Sequence, residues 1–195
     1  MRRIPAVLVV TWGALLAVAA SAAPAAAADN YAIDTAHSSV SFKAEHMGIS
    51  WIHGRFNSYS GNFSIDKADP GKSSFEMTIK TDSVDTGNKG RDTHLVSPDY
   101  FDAKQFSTIT FKSTSVKAVA HGYEVKGDFT MHGQTKPITF TLLGGKEVEF
   151  PKGMKRTGFS TDLKIKRSDY GMVDKMPGAL GDEVPVSISF EGVRK

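Results

Sequence analysis

Histidine, serine and aspartate are the side chains of this sequence that could carry out chemistry, and the histidines raise the question of a metal. Protein zinc sites bring three or four ligands together, and their sequence signatures place histidines or cysteines a few residues apart. The chain has no cysteine, and its histidines are scattered without an HExxH pattern. We therefore expect no metal and no cofactor. The six histidines are His37, His46, His53, His94, His121 and His132.

Two short segments contain the residue types of a serine hydrolase. They are Asp34, His37 and Ser38 in the first segment, and His94, Ser97 and Asp99 in the second. A catalytic triad needs these groups to converge in space, whereas neighbours along a strand point to opposite faces. The chain also lacks the GxSxG motif of many hydrolases. We assign no catalytic residue and expect a protein that is not an enzyme, with a hydrolase as the alternative.

A first stretch without strand periodicity runs from Asn88 to Asp102 and reads NKGRDTHLVSPDYFD. Ser97-Pro98-Asp99 within it is typical of a helix start, with serine as cap and proline in the first turn. Arg91 and His94 are candidates for contact with a ligand headgroup, because loops at barrel ends often carry binding groups. Alternatively, Arg91 and Asp92 tie the helical segment to a neighbouring strand.

A second irregular stretch runs from Ser168 to Asp182, directly after Arg167. Arg167 continues the phase of Leu163 and Ile165, so we expect its side chain to point inward. A partly buried arginine needs an anion or a carboxylate. Asp169 is one candidate partner, and the headgroup of a ligand is the other.

Most of the remaining sequence alternates apolar and polar residues with a period of two, as in Phe75, Met77 and Ile79. This alternation is typical of strands with one buried face, and turn residues such as Asp69-Pro70-Gly71 separate the runs. Short links favour antiparallel neighbours. The pattern predicts an all-β domain of about eight strands, either an up-and-down barrel or a sandwich.

An eight-stranded barrel is either just filled by side chains or just able to hold one small ligand. Small residues such as Ala44, Ser113 and Gly127 share the apolar phase with phenylalanines and could leave space, although Gly54 and Gly127 could instead only let the strands bend. The outward phase is polar, unlike that of an outer-membrane barrel. The predicted lumen residues are Phe42, Phe56, Phe63, Met77, Phe111, Phe129, Phe140, Phe159 and Ile188.

Residues 1–28 have the anatomy of a secretory signal peptide, with Arg2-Arg3, an apolar run and the small-residue site Ala26-Ala27-Ala28. We expect cleavage there to leave one domain, residues 29–195, in the periplasm or outside the cell. Loss of the two arginines lowers the formal net charge from +3 to about +1, which argues against nucleic-acid binding. We expect no stable membrane insertion, because no later apolar run is long enough to span a bilayer. The sequence leaves open whether the protein forms a homodimer.

Several short motifs, in this order and spacing, resemble the YceI-like family of bacterial polyisoprenoid-binding proteins. The resemblance covers residues 30–192. The motifs are Asp34-Thr35-Ala36-His37-Ser38, Gly54-Arg55-Phe56, the segment from Gly90 to Asp102, FSTITFKS from Phe106 to Ser113, Gly127 to Gly133, and Arg167-Ser168-Asp169-Tyr170-Gly171.

The resemblance implies a lipocalin-like antiparallel barrel with short helices between strands 3 and 4. It further implies an elongated lumen that binds, transports or sequesters an amphiphilic long-chain lipid, of polyisoprenoid or isoprenoid quinone type, without chemistry. A scavenger of other lipophilic small molecules and a periplasmic hydrolase are the alternatives.

We predict that the mature protein begins within a few residues of Asp29, because the small-residue site ends at Ala28. Intact-mass measurement of the protein from a periplasmic extract checks this. A chain that retains Met1 would contradict it.

Overall fold

The computed structural model describes residues 28–173 and 178–195. Residues 1–27, which hold almost all of the predicted leader, lie outside the described residues. The described chain is nearly all strand. The strands are β1 (Asp29–His46), β2 (Ser50–Phe56), β3 (Tyr59–Ile65), β4 (Ser74–Lys80), β5 (Val84–Asp85), β6 (Thr108–Val119), β7 (Gly122–Met131), β8 (Gln134–Glu149), β9 (Lys155–Lys166) and β10 (Glu183–Arg194).

All strand pairings are antiparallel, and the sheet closes on itself through β1 and β10. The long strand β1 pairs with β2 along its second half and with β3 at its start, so β2 and β3 together fill one position in the ring. β4 and β5 fill the next position in the same way, because β4 pairs with β3 and β5 with β2. The result is a closed eight-stranded barrel, which confirms the predicted fold class.

One α-helix, α1 (Lys89–Leu95), follows β5 and precedes β6, between the third and fourth positions of the ring as predicted. The predicted helix start at Ser97 is wrong. The helix begins after Asn88, whose side chain accepts a hydrogen bond from the Arg91 backbone N–H at 3.0 Å. Ser97 follows the helix, where its hydroxyl donates to the His94 carbonyl at 2.7 Å. Asparagine is as good a cap as serine, so both positions met the same sequence criterion.

Aromatic rings close the barrel end opposite α1. Phe63 lies at the centre of this group, with its ring stacked on Tyr31 at 4.9 Å and on Phe75 at 5.7 Å. Phe159 and Phe190 contact Phe63 edge to face at 5.8 and 5.5 Å. All five side chains are buried. Phe63, Phe75 and Phe190 form a floor across the barrel, and Tyr31 and Phe159 pack beneath it. None of the helices in the described part of the chain is long and apolar enough to cross a bilayer.

A polar cluster joins three strands on the outside of the barrel, where the register between β1 and β10 shifts after Asp34. The Asp34 carboxylate accepts from Arg156 of β9 at 2.5 Å and lies 2.9 Å from the His37 imidazole. Arg156 also lies 3.5 Å from Glu191 of β10. The hydrogen bonds from His37 and Arg156 lower the pKa of Asp34 to about 2.

We predict that Asp34 makes the fold acid-sensitive. Its pKa is lower in the folded chain than the value of about 3.9 expected when unfolded, so its stabilisation is complete above pH 4 and disappears as the pH falls towards 2. Over this pH range the free energy of unfolding, measured in urea, should fall by about 1 kcal/mol more in the wild type than in Asp34→Asn. Asp128→Asn, an exposed change on β7, is the control. Equal acid dependence in wild type and Asp34→Asn would contradict the prediction.

Candidate functional site

The barrel encloses a cavity of about 180 Å³ between the aromatic floor and the end covered by α1. Its wall is made almost wholly of apolar atoms. The inward residues of the strands supply most of it, because a closed antiparallel barrel turns alternate side chains to the inside. Besides Phe63, Phe75 and Phe190 of the floor, it is lined by side chains that include Val40, Phe42, Ala44, Phe56, Met77, Ile79, Ile109, Phe111, Phe129, Met131, Ile138, Phe140, Leu142, Thr161, Leu163, Ile165, Val184, Val186 and Ile188.

The predicted lumen residues lie at the cavity wall with one exception. Phe42, Phe56, Phe63, Met77, Phe111, Phe129, Phe140 and Ile188 line the cavity. Phe159 points inward as expected, but it packs below the floor, 5.6 Å from Phe75 and 5.9 Å from Tyr123. A period of two gives the face of a strand on which a residue lies, but not its depth in the barrel. That the lining residues bind a ligand stays a prediction.

Two glycines of the inward phase lie against aromatic rings: Gly127, which could have left space, and Gly54, which was considered only as a place where the strand bends. A Cβ on Gly54 would lie 2.3 Å from the ring of Phe42, and a Cβ on Gly127 would lie 2.5 Å from the ring of Phe111. Each glycine faces its phenylalanine across a strand pair or on a neighbouring strand. These two positions therefore let the rings lie flat along the wall rather than opening the lumen themselves.

The mouth of the cavity is formed by residues that the sequence pattern did not select. They come from the helical segment and from the stretch after β9, which have no period of two. These residues are Leu95, Tyr100, Phe101, Met172 and Leu180. Their apolar character in otherwise polar, irregular segments was the only sequence feature that could have identified them.

Arg167 is buried, lines the cavity at this mouth, and holds the loop together. Its guanidinium donates to the carbonyls of Met172 at 2.9 Å, Leu180 at 3.0 Å and Gly181 at 3.0 Å. The inward direction expected from the sequence is thus seen. Asp169, the carboxylate suggested as its partner, instead lies 3.6 Å from the Lys136 ammonium on the surface. Backbone carbonyls supply the acceptors that a carboxylate was expected to provide.

Arg91 and His94 lie outside the cavity wall. Arg91 donates to the hydroxyl and the carbonyl of Thr86, both at 2.8 Å, and Asp92 accepts from the Thr86 hydroxyl at 2.5 Å. Arg91 and Asp92 thus hold the helix to Thr86, the residue directly after β5, which is close to the alternative in which they tie the helical segment to a neighbouring strand. His94 is exposed and packs edge to face on Tyr100 at 4.9 Å, one layer behind the lining residue.

Neither serine of the two hydrolase-like segments is bonded to a histidine ring. In the first segment, His37 contacts Asp34, but the Ser38 hydroxyl donates to the Asp34 carbonyl at 2.6 Å. In the second segment, His94 contacts Asp99 at 3.1 Å, while Ser97 donates to the His94 carbonyl. Both serine protons are directed to backbone oxygen, so neither set has the geometry of an activated nucleophile.

One group of potential metal ligands comes together among the described residues, namely Asp34, His37 and Glu191. The sequence analysis did not find it, because Glu191 lies on the last strand and the other two on the first. The Arg156 guanidinium already contacts both carboxylates. A bound cation would have to displace this arginine, so the cluster is explained as a surface ion-pair network.

The interior of a closed eight-stranded antiparallel barrel is either filled by side chains or able to hold one small ligand. The apolar cavity places this protein in the second class, the barrels with space for a small hydrophobic molecule. Comparison with known proteins gives the family. The model of the YceI-like domain matches residues 31–192, and the chain belongs to this family. A UPF0312 protein of Vibrio cholerae is 42% identical over 174 residues, which cover 88% of this chain and 90% of the relative.

Two solved structures have the same fold. BcnA of Burkholderia cenocepacia is similar with a TM-score of 0.74 and 26% identity, over 82% of this chain and 98% of BcnA. A domain of Saccharophagus degradans, described as a polyisoprenoid binding domain implicated in plant cell wall breakdown, has a TM-score of 0.63. It is 20% identical over 85% of this chain and 98% of the domain. At this identity the second likeness shows the fold alone.

We predict that Arg167→Ala destabilises the protein by about 2 to 4 kcal/mol, because it removes three charge-assisted hydrogen bonds to backbone carbonyls. The stability of Arg167→Lys should lie between those of the wild type and Arg167→Ala, since one ammonium group cannot replace the planar set of guanidinium donors. Urea unfolding measures the effect, with Lys166→Ala, an exposed change one residue earlier, as the control. An Arg167→Ala protein as stable as the control would show that these contacts do not hold the mouth.

Proposed function

We propose that this protein binds an amphiphilic long-chain lipid, of polyisoprenoid or isoprenoid quinone type, in the lumen of the barrel and carries or sequesters it without chemistry. The observation that carries the proposal is the apolar cavity inside a closed barrel. A domain that needed only a core would gain by filling that volume, because each void forfeits contacts between side chains.

The ligand class is supported by the character of the wall. Aromatic and aliphatic side chains surround the space on all sides, so a hydrocarbon chain is transferred from water into an apolar environment, with about 0.8 kcal/mol gained for each buried methylene. The membership of the YceI-like family, whose motifs resemble those of polyisoprenoid-binding proteins, is the reason for proposing an isoprenoid. A scavenger of other lipophilic molecules would use the same wall.

The size of the cavity bears on how such a lipid enters. A dry engineered cavity of about 150 Å³ holds one benzene molecule, and the cavity here measures about 180 Å³. A long chain therefore needs further space, and the mouth is the part that can provide it. Leu95, Phe101 and Met172 belong to a short helix, a turn and a loop, whereas the wall below the mouth is hydrogen-bonded sheet. We propose that the lipid enters by displacing these mouth residues.

The sequence-based leader leads us to place this activity in the periplasm or outside the cell. A long-chain lipid has almost no free concentration in water, so movement between membranes across an aqueous compartment requires a covered carrier. At the mouth, Arg167 is the residue we propose to face the polar end of a cargo that enters tail first. Arg91 and His94 could affect binding only through the positions of Thr86 and Tyr100.

We predict that delipidated protein melts at a higher temperature when a polyprenol is added, since a ligand bound only by the folded state stabilises it by about 2.7 kcal/mol at a hundredfold excess over its Kd. Phe129→Asp should abolish this shift, because it places an unpaired carboxylate at the apolar wall. Phe129→Leu should keep most of it.

Thr130→Asp is the matched control, because it adds the same charge one residue further along β7, on the polar face where Thr130 bonds Thr135. Mass spectrometry of an organic extract identifies any lipid that copurifies. If the melting temperature is unchanged by polyprenol and by a quinone analogue, and the extract contains no lipid, the barrel is a packed core and the proposal fails.

A further inference from the structure

Among the described residues that line the cavity, one buried polar side chain has no hydrogen-bond partner. Thr161 of β9 lines the cavity and is only 5% exposed, and its hydroxyl has no hydrogen-bond partner. Burying a hydroxyl without a partner is unfavourable, and most buried polar side-chain atoms in proteins have one. Valine has nearly the same shape and would avoid this cost, so the hydroxyl at this position requires an explanation.

A second threonine of the same strand, Thr157, has the same burial and the same unpartnered hydroxyl but lies away from the cavity. Thr157 is also buried, at 4% exposed, and its hydroxyl is also without a partner. Thr157 lies two residues before Phe159 in the chain, below the floor, and it does not line the cavity. Only Thr161 can therefore meet a molecule held in the lumen, and Thr157 provides an internal comparison with equal burial.

Thr161 lies at the depth of the floor. Among the inward-facing residues of β9, Thr161 is the next one after Phe159, which packs below the cavity. It comes before Leu163 and Ile165, which line the cavity. Arg167 at the mouth is six residues further along the same face, about 20 Å away at the rise of an antiparallel strand. Rotation about the Cα–Cβ bond of Thr161 exchanges its methyl and hydroxyl groups, so the hydroxyl can turn towards an occupant without a change in the backbone.

We infer that Thr161 selects the cargo, by forming a hydrogen bond with an uncharged polar group at the end of the lipid that reaches the floor. This inference rests on the proposed function. A hydroxyl, a carbonyl or an amide fits the position. A phosphate or carboxylate does not, because the cavity-lining part of the described chain has one cationic residue, Arg167, at the opposite end. The lipid class is therefore one whose chain carries a neutral polar group at the end away from the headgroup, which reaches the floor when the chain enters tail first.

The experiment compares 1-dodecanol with dodecane, two chains of equal length that differ in one hydroxyl, as ligands of the delipidated protein. Direct titration followed by tryptophan fluorescence or calorimetry gives both Kd values. The ratio of these values in the wild type should shrink in Thr161→Val by about threefold to tenfold, the worth of one hydrogen bond. Dodecane itself should bind Thr161→Val as tightly as the wild type or more tightly.

Thr157→Val is the matched control. Both variants remove an unpartnered buried hydroxyl, so both should unfold at an equal or higher temperature than the wild type, and only Thr161→Val should change the ratio. A ratio unchanged in Thr161→Val overturns the inference, because the dodecanol hydroxyl then lies elsewhere, as it would at the mouth. Failure of both chains to bind the wild type counts against the proposed function itself, whereas binding of both with an unchanged ratio counts against the role of Thr161 alone.

Discussion

Pairing between the first and last strands is the interaction on which the rest of the structure depends. Hydrogen bonds from Tyr31 opposite Arg194 to Phe42 opposite Val186 turn an open sheet into a ring. A ring has no exposed edges, so every inward side chain must find its neighbours within the same enclosed space. Whether that space is filled is then decided by side-chain volume alone, and here the aromatic rings around Phe63 fill one end and leave the other open to α1.

The mouth is stabilised in a different way from the wall. Strand pairing reaches it at the bridge between His46 and Leu180, and local polar contacts hold the rest: Asn88 caps α1, Asp92 and Arg91 bind Thr86, and Arg167 binds the carbonyls beyond β9. Such contacts break one at a time, whereas the barrel ladder opens only cooperatively. A long-chain lipid requires a rigid wall and a mouth held by local contacts, because the mouth residues can then move while the wall that binds the chain stays in place.

The sequence predicted the parts of this architecture that depend on local periodicity. Alternation identified the strands and the inward face, and the phase of Leu163 and Ile165 correctly extended to Arg167. It could not give depth, so Phe159 was assigned to the lumen although it lies below the floor. Nor could it give long-range partners. Asp169 was the nearest carboxylate in sequence to Arg167, but the acceptors are backbone carbonyls that any residue could provide. Thr161 shares its alternation phase with Leu163 and Ile165, yet only the complete fold shows that its hydroxyl has no partner.

An apolar wall sets affinity far better than it sets specificity. An added methylene changes binding by a modest factor, and a purely hydrophobic pocket cannot strongly reject a molecule that differs by one hydroxyl. Discrimination among lipids of similar length must therefore come from the few polar atoms in or beside the wall. Two positions provide them here, the Arg167 guanidinium directly after β9, whose donors hold the mouth, and the Thr161 hydroxyl of β9 at the floor. The separation between them links the length of a bound chain to the chemistry of its ends, since only a chain that spans the cavity can meet both.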